Sequence, residues 1–324
     1  MARKTWRQLA AEWHPDRNPN PRAKQVFQHL IALDEAARRQ RRQGVWIEES
    51  ALTFLRREGT PSIVPCMART ETKTELGRRV IGSGSFVEIY NEATCDLMAA
   101  ASSQMSGLRF ADEAMRCEMR RWLPDARDMF ETTGGLGVLV LNKQPDQVLL
   151  SDLLTAAQGA LDARHVAWIL NGMLHVACYL EWAGISHNAI GPETWLISPA
   201  HHLGTLIGGW CYAAFVGDTL TALPSRSVAA APSALMRNKT ATTALDRELI
   251  KLTGRELLGD PSGMGFAGDV PSPIAMWLRQ PPGASAITDY RDWQDALRRS
   301  FGRPRFVEMT LDARDIYPNL DEKE

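Results

Sequence analysis

Two residue types are missing from long stretches of this chain. No Asp lies between Asp162 and Asp218, and no Lys lies between Lys73 and Lys143. Proteins hold Mg²⁺ mainly with carboxylates, and they often hold phosphate oxygens with a lysine. These two stretches therefore cannot supply an aspartate for a metal or a lysine for a phosphate group.

Cysteine is also scarce, and its spacing does not suit cross-links. The chain has five cysteines, and no two of them have C-x-x-C spacing. They are Cys66, Cys95, Cys117, Cys178 and Cys211. An odd number without paired spacing argues against a disulfide framework and against a zinc site. We therefore expect no metal, and a reducing compartment suits the chain.

The sequence has no long, uninterrupted hydrophobic run. Its most apolar long stretch, 166–185, includes Asn171, His175 and Glu181, which indicates a buried helix and not a membrane span. The first residues are polar and basic and lack the apolar segment of a signal peptide. We expect a cytoplasmic protein that has no membrane partner, and a viral protein in a host cytoplasm fits the same description.

Charge is balanced over the whole chain but not at its start. The chain has 37 Lys and Arg against 38 Asp and Glu, so we do not expect nucleic acid to be a partner of the whole molecule. The first 45 residues, however, contain ten basic and four acidic residues. The basic ones are Arg3, Lys4, Arg7, Arg17, Arg22, Lys24, Arg38, Arg39, Arg41 and Arg42. The partner of this end is expected to be acidic, which fits a chaperone surface or nucleic acid.

The spacing of apolar residues changes along the chain. Residues 3–13 have helical spacing, prolines break the chain at 15–21, and a second helix is predicted from about Pro21. Short strand-like runs follow, and helices dominate after residue 150. The predicted strands are 45–47, 62–67, 79–81, 86–90 and 136–141, and the later helices are 109–122, 150–157, 163–183, 245–258, 273–279 and 289–300. The pattern predicts the α+β class.

A His-Pro-Asp turn stands out near the start of the chain. The segment from Trp6 to Asn20 has an aromatic-basic-x-Leu-Ala helix, then His-Pro-Asp, a basic residue and Asn. It resembles the second helix and loop of DnaJ-type J-domains, which implies a DnaK-type chaperone as partner. The residues that this resemblance assigns to the chaperone are His14, Pro15, Asp16, Arg3, Lys4, Arg7 and Arg17. Only five residues precede Trp6, so we expect a truncated J-domain, a two-helix hairpin over 1–44.

A second resemblance lies in the second half of the chain. The segment 184–198 reads GISHNAIGPETWLIS and resembles the catalytic loop of protein kinases. A long apolar helix precedes it, and Ala231-Pro232-Ser233 resembles the kinase Ala-Pro-Glu motif. The resemblance implies a bilobal fold, with a β-rich linker over 45–74, a small β-rich lobe over 75–141 and a larger helical lobe over 142–324. The connection between the lobes is expected near Asn142–Asp146.

The residues that carry kinase chemistry are replaced in this chain. Phosphoryl transfer needs a base, metal-binding groups and a lysine on the phosphates. By the resemblance, Ala189 stands for the base, Gly191 for the lysine after it and Thr194 for the metal-binding Asn. Gly208 and Gly209 stand at the start of the Asp-Phe-Gly motif. We expect a pseudokinase without enzymatic activity, in which His187 has a structural role and Asp246 opens a helix at the family's spacing.

One motif conflicts with that expectation. Gly82 and Gly84 look like a kinase glycine-rich loop, whose backbone N–H groups approach phosphates. The alternative is a plain turn between two strands, and we favour it because no lysine or metal ligand supports the loop. Glu118 could take the place of the kinase helix glutamate, but without the lysine we expect a solvated charge. We therefore expect no cofactor, including ATP.

Three functions remain open on the sequence. The leading one is a non-catalytic adaptor or co-chaperone, in which the kinase-like body binds an unknown protein client and the J-like end docks a DnaK-type chaperone. The second is a nucleotide-binding sensor without phosphotransfer. The third is an enzyme with rearranged chemistry on a kinase scaffold.

Overall fold

The chain divides into two compact units, Met1–Leu52 and Thr53–Glu324. The computed structural model describes residues 9, 11–15, 17–31, 51–66, 68–266 and 268–317. These residues form both helices and antiparallel sheets, which confirms the predicted α+β class. Within the described ranges, no helix has the length and apolar character needed to cross a membrane.

The first unit contains a turn between two helical segments. Residues 11–12 and 23–31 are helical. The carbonyl of His14 accepts hydrogen bonds from the backbone N–H groups of Arg17 and Asn18, both at 2.9 Å, and so closes the turn. The predicted helical positions 3–8 and 32–44, and the predicted strand 45–47, lie outside the described residues.

A five-stranded antiparallel sheet dominates the first part of the second unit. Its order is β3-β4-β5-β7-β6. The strands are β3 (Ala68–Thr74), β4 (Gly77–Gly82), β5 (Ser85–Tyr90), β6 (Ala126–Glu131) and β7 (Gly137–Asn142). Every residue of β5 is buried, because this strand lies at the centre of the sheet. Before the sheet, β1 (Leu52–Leu55) pairs with β2 (Pro61–Val64).

One helix packs against this sheet. Helix α1 (Cys95–Ser106) follows β5 and buries Met98, Ala101 and Met105. A Cβ atom at Gly137 of β7 would lie 2.9 Å from the sulfur of Met98, closer than real contacts allow. Glycine at this position therefore lets the helix approach the sheet.

Helices make up most of the remaining chain. They are α2 (Glu113–Met119), α3 (Leu150–Ala156), α4 (Ala163–Ala183), α5 (Ser225–Ala230), α6 (Ser233–Asn238), α7 (Thr243–Leu257), α8 (Ser272–Arg279), α9 (Ala286–Phe301) and α10 (Ala313–Ile316). Helix α4 is central, since it packs against both α7 and α9 and most of its residues are buried. It ends at Gly184, whose φ of 73° is the left-handed conformation that glycine adopts readily.

Short strands flank the loop that follows α4. Strands β8 (Val148–Leu149), β10 (Trp195–Ser198) and β11 (Leu203–Leu206) form one small sheet, and β9 (Ile185–Ser186) pairs with β12 (Ala214–Phe215). Strand β7 ends at Asn142 and β8 begins at Val148. The segment that connects the large sheet to the helical part is therefore 143–147, which overlaps the predicted connection at Asn142–Asp146.

A buried lysine fixes this passage. The Lys143 ammonium donates hydrogen bonds to the carbonyls of Ser83 at 3.3 Å, Gln144 at 2.9 Å and Gln147 at 2.7 Å. Ser83 belongs to the turn between β4 and β5, so the side chain joins that turn to the passage. Because an ammonium group has three donors, these carbonyls can use all of them.

The boundary predicted at residue 75 divides a hairpin of the sheet. Strand β3 lies within the segment 45–74 that the sequence assigned to a linker, yet it pairs with β4 along its whole length. Its composition, ARTETKT, is polar because β3 is an edge strand with exposed residues such as Glu71 and Lys73. An edge strand of this kind lacks the apolar alternation that identifies a strand in a sequence.

Candidate functional site

A cavity of about 150 Å³ lies between the large sheet and the helical part of the second unit. The sheet contributes the turn between β3 and β4 and parts of β4 and β5. The helical part contributes the loop after β9, the segment at Gly209–Tyr212 and the start of α5. The lining residues that matter below are Glu75, Arg79, Glu88, Glu193, Tyr212 and Arg226.

A buried carboxylate holds the loop after β9 in place. Asp246, in the first turn of α7, accepts hydrogen bonds from the backbone N–H groups of His187 at 2.8 Å and Asn188 at 2.6 Å. Asn188 has a φ of 64°, and its side-chain amide donates to the carbonyl of Tyr212 at 2.9 Å. Burial raises the pKa of Asp246 to about 7, although the two N–H donors oppose the shift.

Further along the loop, side chains bind its own backbone. The Thr194 hydroxyl donates to the carbonyl of Ala189 at 2.7 Å and accepts from the N–H of Gly191 at 3.1 Å. Arg226 donates to the carbonyl of Ile190 at 2.9 Å. The hydroxyl at residue 194 is therefore engaged in fixing the loop.

His187 lies in the core behind this loop. Its side chain is fully buried, and the ring meets that of Trp210 edge-on at 4.8 Å. Burial lowers the pKa of His187 to about 3, so the ring is neutral near pH 7. A neutral, enclosed imidazole has no access to a substrate and packs as part of the core.

A buried ion pair from the sheet lies in front of Gly208. Arg79 on β4 and Glu88 on β5 are direct cross-strand neighbours, their charged groups are 3.4 Å apart, and each side chain is 9% exposed. Tyr90 donates its hydroxyl proton to the other oxygen of Glu88 at 3.0 Å. A Cβ atom at Gly208 would lie 3.2 Å from the Glu88 carboxylate and 3.7 Å from the Arg79 guanidinium. A side chain at residue 208 would therefore begin in close contact with the Arg79–Glu88 pair.

The phenols and the thiol around this pair remain protonated. Burial is the largest cause that raises the pKa of Tyr90, Cys211 and Tyr212 well above their usual ranges. Tyr317 of the C-terminal segment donates to a carboxylate oxygen of Asp152 at 2.7 Å, and burial raises its pKa too. Of these groups, Tyr90 and Tyr212 line the cavity, so both present it with neutral phenols.

The structure brings some of the sequence-predicted residues together. Ala189, Gly191, Thr194 and Gly209 line the cavity, and Gly208 lies beside the Arg79–Glu88 pair. His187 and Asp246 lie behind the loop, as described above. These positions belong to segments far apart in sequence, and the fold places them around one site.

Two other predicted features lie elsewhere. Gly82 ends β4 and Gly84 lies in the turn between β4 and β5, and neither residue lines the cavity. The turn that does line the cavity joins β3 to β4 and has the sequence TELG. Glu118 lies on α2, 3.6 Å from His175 of α4, and does not line the cavity either.

In the first unit, the predicted chaperone-binding residues are only partly described. The His14 ring meets the Phe27 ring edge-on at 5.0 Å, and Pro15 and Arg17 are exposed. The Asn18 amide donates to the carbonyl of Glu12 at 2.8 Å, which braces the turn. Of the other predicted residues, Arg3, Lys4, Arg7 and Asp16 lie outside the described ranges.

Sequence reasoning missed the charged residues of the cavity. Arg79 and Glu88 are buried charges in the strands GRRVIG and SFVEIY. A charge within a buried strand is costly unless it is paired, so both positions carried a signal. The sequence alone does not show that the two residues pair with each other, because this depends on the register of β4 and β5.

Comparison with known proteins adds no identification. No protein-family model matches the sequence, and no curated protein matches it. Within the part of the chain that the structure describes, no group of three or more His, Cys, Asp or Glu side chains is placed to hold a metal ion. The cavity and the His14 turn therefore provide the basis for functional inference.

Proposed function

We propose that this chain is a non-catalytic adaptor, with a kinase-like body that binds a protein client and a J-like end that recruits a DnaK-type chaperone. The observation that carries the first half is the Arg79–Glu88 pair in front of Gly208. A side chain at residue 208, where the resemblance would put a metal-binding Asp, would begin in close contact with this pair.

Several features support a kinase-like body. A five-stranded sheet precedes a mainly helical part, and the passage between them lies near the expected residues. The long helix α4 leads directly into the loop at 187–194. Asp246 fixes the backbone of that loop from the first turn of α7, so its position suits the motif that the sequence suggested.

The same body lacks the groups that phosphoryl transfer uses. Ala189 has no proton-accepting side chain, and Thr194 is bonded to its own loop. The third strand of the sheet, β5, would carry the phosphate-binding lysine of a kinase, and it carries Glu88 as its one charged residue. With neither the lysine nor the metal ligands, a nucleotide's phosphates would have no cationic partner of the kinase type.

The size of the cavity favours an adaptor over a nucleotide sensor. Sites for drug-sized ligands have volumes of roughly 300–1,000 Å³. This cavity, at about 150 Å³, is smaller than that range. An enzyme with rearranged chemistry ranks last, because the loop's histidine is enclosed and its one aspartate partner, Asp246, faces the backbone.

The His14 turn supports the second half of the proposal. It joins two helical segments, and the exposed Pro15 and Arg17 are available to a partner. Arginine at this turn and the basic residues before it would attract an acidic chaperone surface. Complementary charge mainly speeds encounter and orients the partners, so binding should weaken as salt rises.

Thermal unfolding with ATP distinguishes the adaptor from the sensor. A ligand that binds only the folded state must raise the unfolding temperature. We expect no shift with millimolar ATP, with or without Mg²⁺, and no phosphate transfer to a generic protein substrate. A magnesium-dependent shift would support the sensor, and turnover that a single substitution abolishes would support an enzyme.

A further inference from the structure

We propose that the cavity binds one small oxyanion, a free carboxylate or inorganic phosphate, at the guanidinium of Arg79. This inference goes beyond the adaptor function and does not depend on a chaperone or client. It rests on the bonding of Arg79, on a second donor across the cavity, and on the cavity's size and charge.

Arg79 has far fewer hydrogen bonds than a buried guanidinium normally makes. The group has five N–H donors. Within the described part of the chain, its one hydrogen bond goes to Glu88 at 3.4 Å, which is long for an N–H···O bond. Its Nε is buried without an acceptor, and only 9% of the side chain is exposed. Buried charged groups are usually saturated with acceptors, so Arg79 lacks some.

The neighbours of Arg79 do not supply those acceptors. The Phe86 ring lies under the guanidinium at 5.0 Å and offers a face but no lone pair. The second oxygen of Glu88 accepts from the Tyr90 hydroxyl, and the described residues show no hydrogen bond between that oxygen and Arg79. Asp152 interacts with Arg79 through space, but the described residues show no hydrogen bond between the two, and one Asp152 oxygen accepts from Tyr317. An acceptor in the cavity would therefore bond the terminal nitrogens of the guanidinium, since Nη1 makes no hydrogen bond with a described residue and the buried Nε is out of reach.

A second donor lines the same cavity from the opposite side. The Tyr212 hydroxyl makes no hydrogen bond with any of the described residues, although Tyr212 is 9% exposed. Its raised pKa keeps the proton in place, so the group can donate to an anion. Arg79 belongs to the sheet and Tyr212 to the segment after Gly209, so one oxyanion between them would bridge the two walls.

Size and charge limit what the site accepts. A cavity of about 150 Å³ is smaller than the usual range for drug-sized ligands, so it suits a compact anion better than a nucleotide. The carboxylates of Glu75 and Glu193 also line the cavity and repel anions that carry many charges. The Glu88 carboxylate partly neutralises the positive charge of Arg79 and so weakens its attraction for an anion. These features favour a small anion of low charge, such as a short carboxylic acid or phosphate, bound weakly.

Binding can be measured by calorimetry and thermal unfolding on the full chain at constant ionic strength. The probes are sodium phosphate and sodium acetate, with sodium chloride as the reference and ADP as the size test. Phosphate or acetate, or both, should bind in calorimetry, and the tighter binder identifies the ligand class. Because phosphate also stabilises folded proteins by exclusion from their surface, its thermal shift counts only where it exceeds that of the double variant described below. No effect from either would overturn the proposal, as would tighter binding of ADP than of phosphate.

Variants identify the residue responsible. Arg79→Gln alone could unfold the chain by leaving Glu88 unpaired, so Arg79→Gln with Glu88→Gln keeps a neutral hydrogen-bonding pair. We expect this double variant to bind the anion at least about tenfold more weakly, since a bond to a charged donor contributes that much. Tyr212→Phe should weaken binding less. The matched control is Arg57→Gln, which removes an exposed arginine paired with Glu131 on the sheet edge. Unchanged binding in a folded double variant would contradict the assignment to Arg79.

Discussion

Both carboxylate oxygens of Glu75 lie 3.2 Å from the backbone nitrogen of Ser225, 150 residues further along the chain. Glu75 belongs to the turn between β3 and β4, and Ser225 is the first residue of α5. The contact therefore joins the sheet to the helical part across the mouth of the cavity. Both residues are exposed, so the contact should contribute little to stability.

Replacing Glu75 should loosen that mouth without unfolding the chain. We expect Glu75→Gln to lower the free energy of unfolding by less than about 1 kcal/mol, because exposed charge interactions contribute little. Amide hydrogen exchange should become faster at 225–230 and in the turn at 74–77. Glu58→Gln, at an exposed turn outside the cavity, is the control. Equal exchange in both variants would show that the contact does not hold the mouth.

Gly208 should not tolerate the acidic residue of a kinase. A Cβ at this position would lie 3.2 Å from the Glu88 carboxylate and 3.7 Å from the Arg79 guanidinium, so an added carboxylate would crowd Glu88 and compete with it for Arg79. We expect Gly208→Asp to destabilise the chain by about 1–3 kcal/mol, the range for overpacked sites. Gly84→Asp is a matched control, since a Cβ there meets open space. Denaturant unfolding of the two variants measures the difference.

The same reasoning predicts that phosphotransfer cannot be restored in one step. Ala189→Asp supplies a base but no metal ligand and no lysine, so we expect activity with Mg²⁺ or Mn²⁺ to stay at background. Transfer of labelled phosphate from ATP is the measurement. Activity gained by this single substitution would mean that the cavity already holds the other groups.

Asp246 should make stability fall as pH rises. Its pKa is about 7 in the folded chain, above the value of about 3.9 for an unfolded Asp. The folded state therefore holds this proton more firmly, and the resulting stability is complete below about pH 4 and lost as pH rises through about 7. Asp246→Asn removes this term, so its stability should decline less over that window, measured by denaturant unfolding. A slope equal to that of the original chain would contradict the raised pKa.

The lowered pKa of His187 should make stability fall as pH falls, the opposite of the effect of Asp246. Its pKa is about 3 in the folded chain, against about 6.5 when unfolded. Its stability contribution is complete above about pH 6.5 and lost as pH falls towards about 3. His187→Leu should therefore resist acid better than the original chain, judged by the change in unfolding free energy between about pH 6.5 and 4. The two neighbouring groups partly offset each other, so each effect becomes visible only in the single variants.

The sequence predicted the helices better than the sheet. Helix α4 has the predicted bounds because its apolar residues follow a continuous helical repeat. Helix α1 was missed, since its small residues, as in AAASS, give a weak repeat. Strand β3 was missed because an exposed edge strand is polar. In both cases the packing partner, and not the local sequence, determines the structure.

The candidate site shows the same limit. The missing chemistry is visible in the sequence, because no Asp occurs between Asp162 and Asp218. What lies beside Gly208 is not visible, since the Arg79–Glu88 pair depends on the register of two strands and on the approach of Gly208 from the helical part. Long-range contacts of this kind require the folded chain.

Recruitment of a DnaK-type chaperone is the most direct test of the adaptor proposal. The measurement is the rate of ATP hydrolysis by the chaperone with the full chain, its His14→Gln variant or its His29→Gln variant. His29 is an exposed histidine on the helical segment after the turn and serves as the matched control. Circular dichroism first checks that both variants keep their helix content, because the His14 ring packs against Phe27. The proposal predicts that the full chain and His29→Gln accelerate hydrolysis, that His14→Gln does not, and that the effect fades as salt rises. Equal acceleration by all three, or none by any, would contradict it.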